Sequence, residues 1–196
     1  MILFPKYINQ DSRLQPRPES LNSLTVSWDD HPSDGRQAAV LFLIGMQKDG
    51  LSKLVLTKRS NKVSTHKGQI GFAGGHREID DINPAATALR EAHEEIGIHP
   101  EQVEVVGELK TFESIHGTTV IPIVATCELD KIDFTLQKSE VDRLILAPLD
   151  IFSASNTKTK DYEYKGRIRQ TFIYDHKDDR IWGLTAHIIA STKLSL

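Results

Sequence analysis

The chain has 196 residues, 39% of them hydrophobic and 26% charged, with a formal net charge of −3. That length and balance fit one globular domain able to bury a core, and the mild negative charge gives no electrostatic case for a nucleic-acid or membrane-surface partner. A single cysteine, Cys127, excludes an intrachain disulfide and a cysteine-based zinc cluster, and no apolar run reaches the roughly 18 residues a membrane span needs. The opening M-I-L-F-P-K-Y lacks a signal-peptide pattern, so a cytoplasmic location is expected; a homodimer stays open.

In chain order, residues 1–35 read as an N-terminal arm and linker and residues 36–196 as the domain. Pro5, Pro16 and Pro18 keep the first residues irregular, and Trp28 to Gly35 is a turn-rich linker. Ala38 to Met46 is a near-continuous apolar run, suited to a strand buried on both faces. Lys48-Asp49-Gly50 signals a turn, and Leu51 to Thr57 returns as the second strand of a hairpin. Residues 58–69 are polar and basic, with Lys58, Arg59, Lys62, His66 and Lys67. Alone they read as a solvated loop; ahead of an acidic helix they suit a phosphate-facing role. Gln69 to Phe72 is strand-like and leads into Gly74-Gly75.

Asn83 is a good N-cap, Pro84 suits the first helical position, and Gly97 is placed to end the helix between them. Ala85, Leu89, Ala92 and Ile96 form a stripe about 60° wide, while Glu91, Glu94 and Glu95 gather on roughly the opposite side. Carboxylates three and four residues apart repel, and a divalent cation turns that repulsion into coordination. Arg90 is positioned to lock one carboxylate by a bidentate pair. Without its flanks, such a run reads as a solvated acidic face.

Beyond the helix, Val103 to Leu109 and Thr118 to Cys127 read as strands, joined by a loop, Thr111 to Gly117, that holds Glu113 and His116. Cys127, at the end of an apolar run, reads as a buried inert thiol. Glu140 to Leu149 starts acidic and becomes a strand that stops at Pro148; Asp150 to Phe152 begins a short helix. Ser153 to Asp161, low in apolar content, reads as flexible. Tyr162 to Tyr164 and Thr171 to Tyr174 suit a short hairpin, and Leu184 to Leu194 a last helix packed by Trp182. A mixed sheet with two main helices, an α+β chain in an α/β/α sandwich, is the natural architecture.

G-G-H-R-E-I-D-D followed by L-R-E-A-H-E-E-I-G-I resembles the Nudix box. The second half fits from Arg90 through Ile98, with Ala92 small for a bulky aliphatic position. The first half departs from the pattern: Asp81 stands for Glu, and eight residues rather than seven separate it from Arg90. One extra loop residue explains this and leaves the helix spacing intact. Upstream, L-T-K-R-S and H-K-G-Q-I-G-F-A-G-G look like the extra motif of the coenzyme A pyrophosphatase branch, through Leu56, Thr57, Arg59, Ser60, Gly68, Phe72, Gly74 and Gly75. Ser64 replaces an Arg there, and Ala73 a Pro; I-W-G-L-T-A, residues 181–186, is similar to that branch's end.

The resemblance implies a Nudix-type sandwich and hydrolysis of the diphosphate of a small-molecule nucleotide, most specifically coenzyme A, with Mg2+ or Mn2+. It makes Glu91 and Glu95 direct metal ligands, Glu94 a third ligand or one acting through water, and Gly75 part of the metal floor. Arg90 orients a box carboxylate. The general base is Glu140 first and Glu113 second. Arg59, His66, Lys67 and Gly74 face the substrate. His93, on the flank of the helix, is structural. Other Nudix substrates (nucleotide sugars, dinucleotides, capped RNA) or a non-cleaving nucleotide sensor are the alternatives.

Overall fold

The computed structural model describes residues 27–31, 35–63 and 65–192. Of the arm and linker expected over residues 1–35, residues 1–26 and 32–34 lie outside the described residues, as do the Ser64 position and the end of the last helix past residue 192. The strands are β1 (Gln37–Met46), β2 (Ser52–Arg59), β3 (Ile70–Gly71), β4 (Ala73–His76), β5 (Glu104–Glu108), β6 (Phe112–Glu113), β7 (Thr119–Glu128), β8 (Val141–Pro148), β9 (Lys158–Tyr164), β10 (Arg167–His176) and β11 (Asp179–Trp182). The helices are α1 (Pro84–Ile96) and α2 (Gly183–Ser191).

The apolar runs of β1 and β7 pair in parallel along their whole length, from Gln37↔Thr119 to Met46↔Glu128. Parallel strands covered on both faces need continuous apolar sequence, which these two carry. Successive side chains of β1 serve opposite layers. Leu41 and Leu43 join the core under α1; Phe42 and Ile44 join the core under α2. The expected three-layer sandwich follows.

On its other side β1 pairs with β2 only over Leu43–Met46, and with β4 over Ala38–Leu41. The hairpin strands therefore part, and residues 70–76 fill the wedge. There β3 pairs with β2 through Thr57↔Gly71, before β4 crosses to β1. The wedge brings Gly74-Gly75 beneath α1. Strand β8 covers the free edge of β2, and β5 and β6 share the far edge of β7.

Several local expectations are corrected. Residues 154–156 form a 3-10 turn, and β9 begins at Lys158 where a flexible stretch was expected. The hairpin runs from Lys158↔Ile173 to Tyr164↔Arg167, longer than the alternation indicated, because β9 is almost wholly exposed and carries no apolar face. Its turn, Lys165-Gly166, has both residues at positive φ, as a right-twisted two-residue hairpin requires. Phe112–Glu113 is a short strand inside the expected loop. Trp182, at the end of β11 and directly before α2, is 48% exposed, while Asp179 and Ile181 are buried. Trp28, expected in a linker, is buried in the core under α1. Its indole Nε1 donates to the Asp81 carbonyl at 3.2 Å.

Candidate active site

Helix α1 is built as its sequence dictates. The Asn83 side chain accepts from the Ala86 N–H at 2.8 Å, and Gly97 takes the left-handed cap with its N–H on the His93 carbonyl. The small residues Ala85, Ala88 and Ala92 let the helix sit close over the sheet, with Leu89 and Ile96 in the same core. This close seat corrects one expectation. Glu95 does not face away from the stripe; its residue is 3% exposed. At about 100° per residue it lies only about 60° from Ala92, on the flank of the stripe, and goes inside with it. Glu91 is partly buried, and Glu94 stays exposed.

The Gly-Gly pair is fixed by two close approaches. A Cβ on Gly74, whose φ is +154°, would meet the Ala39 carbonyl oxygen at 2.5 Å. A Cβ on Gly75 would lie 2.3 Å from Glu91 Oε1. The Glu91 carboxylate thus rests directly on the backbone of β4.

Arg90 is the hub of the outer face. Its Nε and Nη2 bond the two Asp81 oxygens at 3.2 and 3.1 Å, Nη2 also donates to the His76 carbonyl at 3.1 Å, and Nη1 reaches Glu91 at 3.1 Å and Glu94 at 3.4 Å. Asp81 further accepts from the Glu78 N–H at 2.8 Å and the Thr87 hydroxyl at 2.7 Å. Burial alone would raise its carboxyl, but the Arg90, Glu78 and Thr87 bonds outweigh that and hold it below the ordinary 3.8. Despite the lengthened loop, Asp81 therefore does serve the helix, by anchoring Arg90.

On the inner face, Arg59 Nη1 approaches Glu95 Oε1 at 3.5 Å. Both Glu95 Oε2 and Arg59 Nε are buried with no hydrogen-bond partner. Burial pushes the Glu95 carboxyl up to about 7; Arg59 opposes this, Glu91 adds to it, the Gly74 N–H opposes it, and Glu140 adds again. Glu91 is raised too, first by burial, against Arg90 and with Glu94 and Glu140 contributing. The charge of Glu140 therefore bears on both inner carboxylates. A β-bulge helps bring it there. Lys58 pairs with Arg143 but Arg59 pairs with Val141, leaving Asp142 extra, and such insertions re-aim the chain beside functional sites.

These residues fit a hard divalent cation. Glu95 Oε2 is a buried anionic oxygen lacking any donor, and Glu91 is beside it in charge and position. Oxygen donors of this kind suit Mg2+ or Mn2+. Among the described residues, no three such groups already converge on one point. Arg90 Nη1 touches both Glu91 and Glu94.

The remaining expected residues divide. His66, in a left-handed conformation at φ 57°, pairs its Nδ1 with Gln69 Oε1 at 2.8 Å. Its ring meets His116 edge-on, centroids 6.0 Å apart. His116, seen in its loop but given no role by the sequence, thus joins the rim; only the fold brings residues 66 and 116 together. Lys67 is exposed beside them. Glu113, on β6, pairs with Thr119 of β7, while Arg59 pairs with β8. The His93 ring meets that of His99, centroids 4.6 Å apart and tilted by 49°. Burial pushes the Cys127 thiol up to about 12, which keeps it inert.

A NUDIX domain model matches residues 35–168. Nudix hydrolase 15, mitochondrial, of Arabidopsis thaliana is 38% identical over 79% of this chain, which spans only 56% of that longer protein. A Nudix hydrolase of Enterobacter sp. (strain 638), NudL, described as uncharacterized, is 34% identical over 82% of this chain and 83% of its own. The crystal structure of RenU, a Nudix hydrolase from M. smegmatis, superposes with a TM-score of 0.50 at 22% identity, covering 60% of this chain and 81% of its own. That last likeness concerns the fold alone.

Proposed function

The chain belongs to the Nudix family, and on that premise we propose that it is a divalent-metal-dependent hydrolase of the diphosphate linkage in a nucleoside diphosphate derivative, with coenzyme A as the substrate. The observation that carries the reading is the Glu95 carboxylate, buried with Oε2 unpartnered beside Glu91 and in the field of Glu140. A cation supplies the missing partner and the missing charge.

Glu91 and Glu95 would hold that cation, with Glu94 joining once Arg90 releases it and the Gly75 backbone as floor. When bound, Mg2+ or Mn2+ neutralises charge on the diphosphate oxygens and makes a water nucleophilic near neutral pH. Glu140 receives the proton of the attacking water. Arg90, anchored by Asp81, orients Glu91. Arg59, whose side chain is partly exposed, offers its guanidinium to a substrate phosphate, and His66 and Lys67, with His116, take the outer phosphates. The Gly74 N–H lines the approach. Water adds to one phosphorus and the bridging oxygen leaves with the other, so coenzyme A yields 3′,5′-ADP and 4′-phosphopantetheine.

Coenzyme A rests on the upstream resemblance, Leu56 to Gly75. A cytoplasmic location belongs to the same proposal. Among the described residues no helix is long and apolar enough to cross a membrane. The test is the product masses after incubation with coenzyme A and Mn2+, beside ADP-ribose, NADH and diadenosine polyphosphates. The two named products, formed fastest from coenzyme A, are expected. Coenzyme A as the poorest substrate overturns its assignment. Nucleotide binding without turnover under either metal overturns the enzyme.

A further inference from the structure

On the face of β2 and β8 opposite Glu95, Lys58 and Arg143 stand directly across from one another. Two cations opposed on one sheet face repel. Asp179, at the start of β11, settles them: its Oδ1 lies 3.3 Å from Lys58 Nζ, and its Oδ1 and Oδ2 lie 2.7 and 2.8 Å from Arg143 Nη2. The Asp179 side chain is 5% exposed. Burial would raise its carboxyl, but the Arg143 and Lys58 bonds keep it below the ordinary range.

The place of this triad gives it more than a structural meaning. The Lys58↔Arg143 pair is the last in register before the bulge at Asp142. Immediately past it, Arg59 turns to Glu95 and the chain turns to Glu140. The bonds of the bulged segment include Ser60 N–H to the Glu140 carbonyl at 2.7 Å, Glu140 N–H and Val141 N–H to the Gln137 carbonyl at 2.9 and 2.8 Å, Gln137 N–H to the Glu95 carbonyl at 3.0 Å, and Lys138 Nζ to the Asp142 carbonyl at 2.8 Å. Leaving the two cations unneutralised would spread β2 from β8 at the point from which Arg59 and Glu140 are aimed.

We infer that Asp179, acting through Lys58 and Arg143, is a positioning residue that fixes the bulge and thereby holds Arg59 and Glu140 toward the carboxylate cluster. This rests on the proposed hydrolase reading for its kinetic consequence, and on geometry alone for its structural one.

The test is Asp179→Asn in the full chain, read by amide hydrogen exchange and by kinetics. Exchange at Ser60 and Val141 should rise about tenfold or more while α1 amides hold their rates. The kcat for the diphosphate substrate should fall about tenfold or more, the size a small misplacement of reacting groups produces. The Mn2+ dissociation constant of the free protein should change by less than kcat does, because Asp179, Lys58 and Arg143 touch none of the α1 carboxylates and reach Glu95 only through Arg59. Lys58→Met combined with Asp179→Asn removes one of the opposed cations and should recover part of both losses. Unchanged exchange at Ser60 and Val141 overturns the inference. So does a rise spread equally over α1, or a folded double variant with no recovery. A wild-type protein that cleaves no diphosphate overturns the functional reading alone, and the exchange rates still decide the clamp.

Discussion

Glu95→Gln is expected to stabilise the metal-free protein while abolishing its response to metal. Burial lifts the Glu95 carboxyl from its ordinary 4.5 to about 7. The folded state therefore holds this proton more tightly than the unfolded chain does. Its contribution to stability is fully present below about pH 4.5 and is lost as pH rises through about 7. At about 1.36 kcal/mol per pH unit, that interval corresponds to about 3 kcal/mol. Gln mimics the protonated acid at every pH, so at pH 8 the variant should be more stable than the parent by about 3 kcal/mol. For a domain of this size that is a rise in Tm of roughly 6–12 °C. Near pH 5 the gap should shrink to about 1 kcal/mol. The assay is thermal unfolding from pH 5 to 8 in chelator, repeated with excess Mg2+ or Mn2+. Metal at about 100 times its Kd should add about 2.7 kcal/mol to the parent and nothing to the variant. Turnover should vanish with the fold intact. A variant that melts below the parent at pH 8 in chelator refutes the burial argument. An active, metal-dependent variant refutes the placement of the site.

Asp81→Asn should cost about 3 kcal/mol, because it leaves a half-buried Arg90 with one fewer charged partner. The Asp81 carboxyl lies below the ordinary 3.8, so its contribution is present above that pH and is lost as pH falls through the lower folded value. The variant should accordingly show a flatter acid-unfolding limb, read by circular dichroism, and an unaltered limb would sink the assignment. Gly75→Ala sets a methyl 2.3 Å from Glu91 Oε1. Displacing that carboxylate should weaken Mn2+ binding about tenfold or more, while overpacking costs about 1–3 kcal/mol; an unchanged Mn2+ titration contradicts the close approach.

Much of the site was legible in local pattern. The caps Asn83 and Gly97, the alanine-rich stripe and the spacing of Glu91, Glu94 and Glu95 are one-helix properties, and helices are specified by neighbours three and four residues away. The two apolar strand runs likewise announced β1 and β7. What went unread depended on distance. Asp81 anchors Arg90 across an irregular loop whose length the spacing rule did not fit. Glu95 looked like part of an exposed acidic face, because a helical wheel ranks directions and cannot say how deep a small-residue stripe will seat. Trp28 is buried where a linker was expected, since burial of a lone aromatic is decided by the layer that covers it. The sequence by itself determined the capped acidic helix, the basic stretch that carries Arg59 and the layered α+β architecture, because these follow from residue chemistry at short range. Only the tertiary structure decided that β1 and β2 part to seat Gly74-Gly75, that a bulge turns Glu140 toward α1, and that Asp179 joins Lys58 to Arg143. Those depend on strands brought together from as many as 121 residues apart, where no local periodicity carries information.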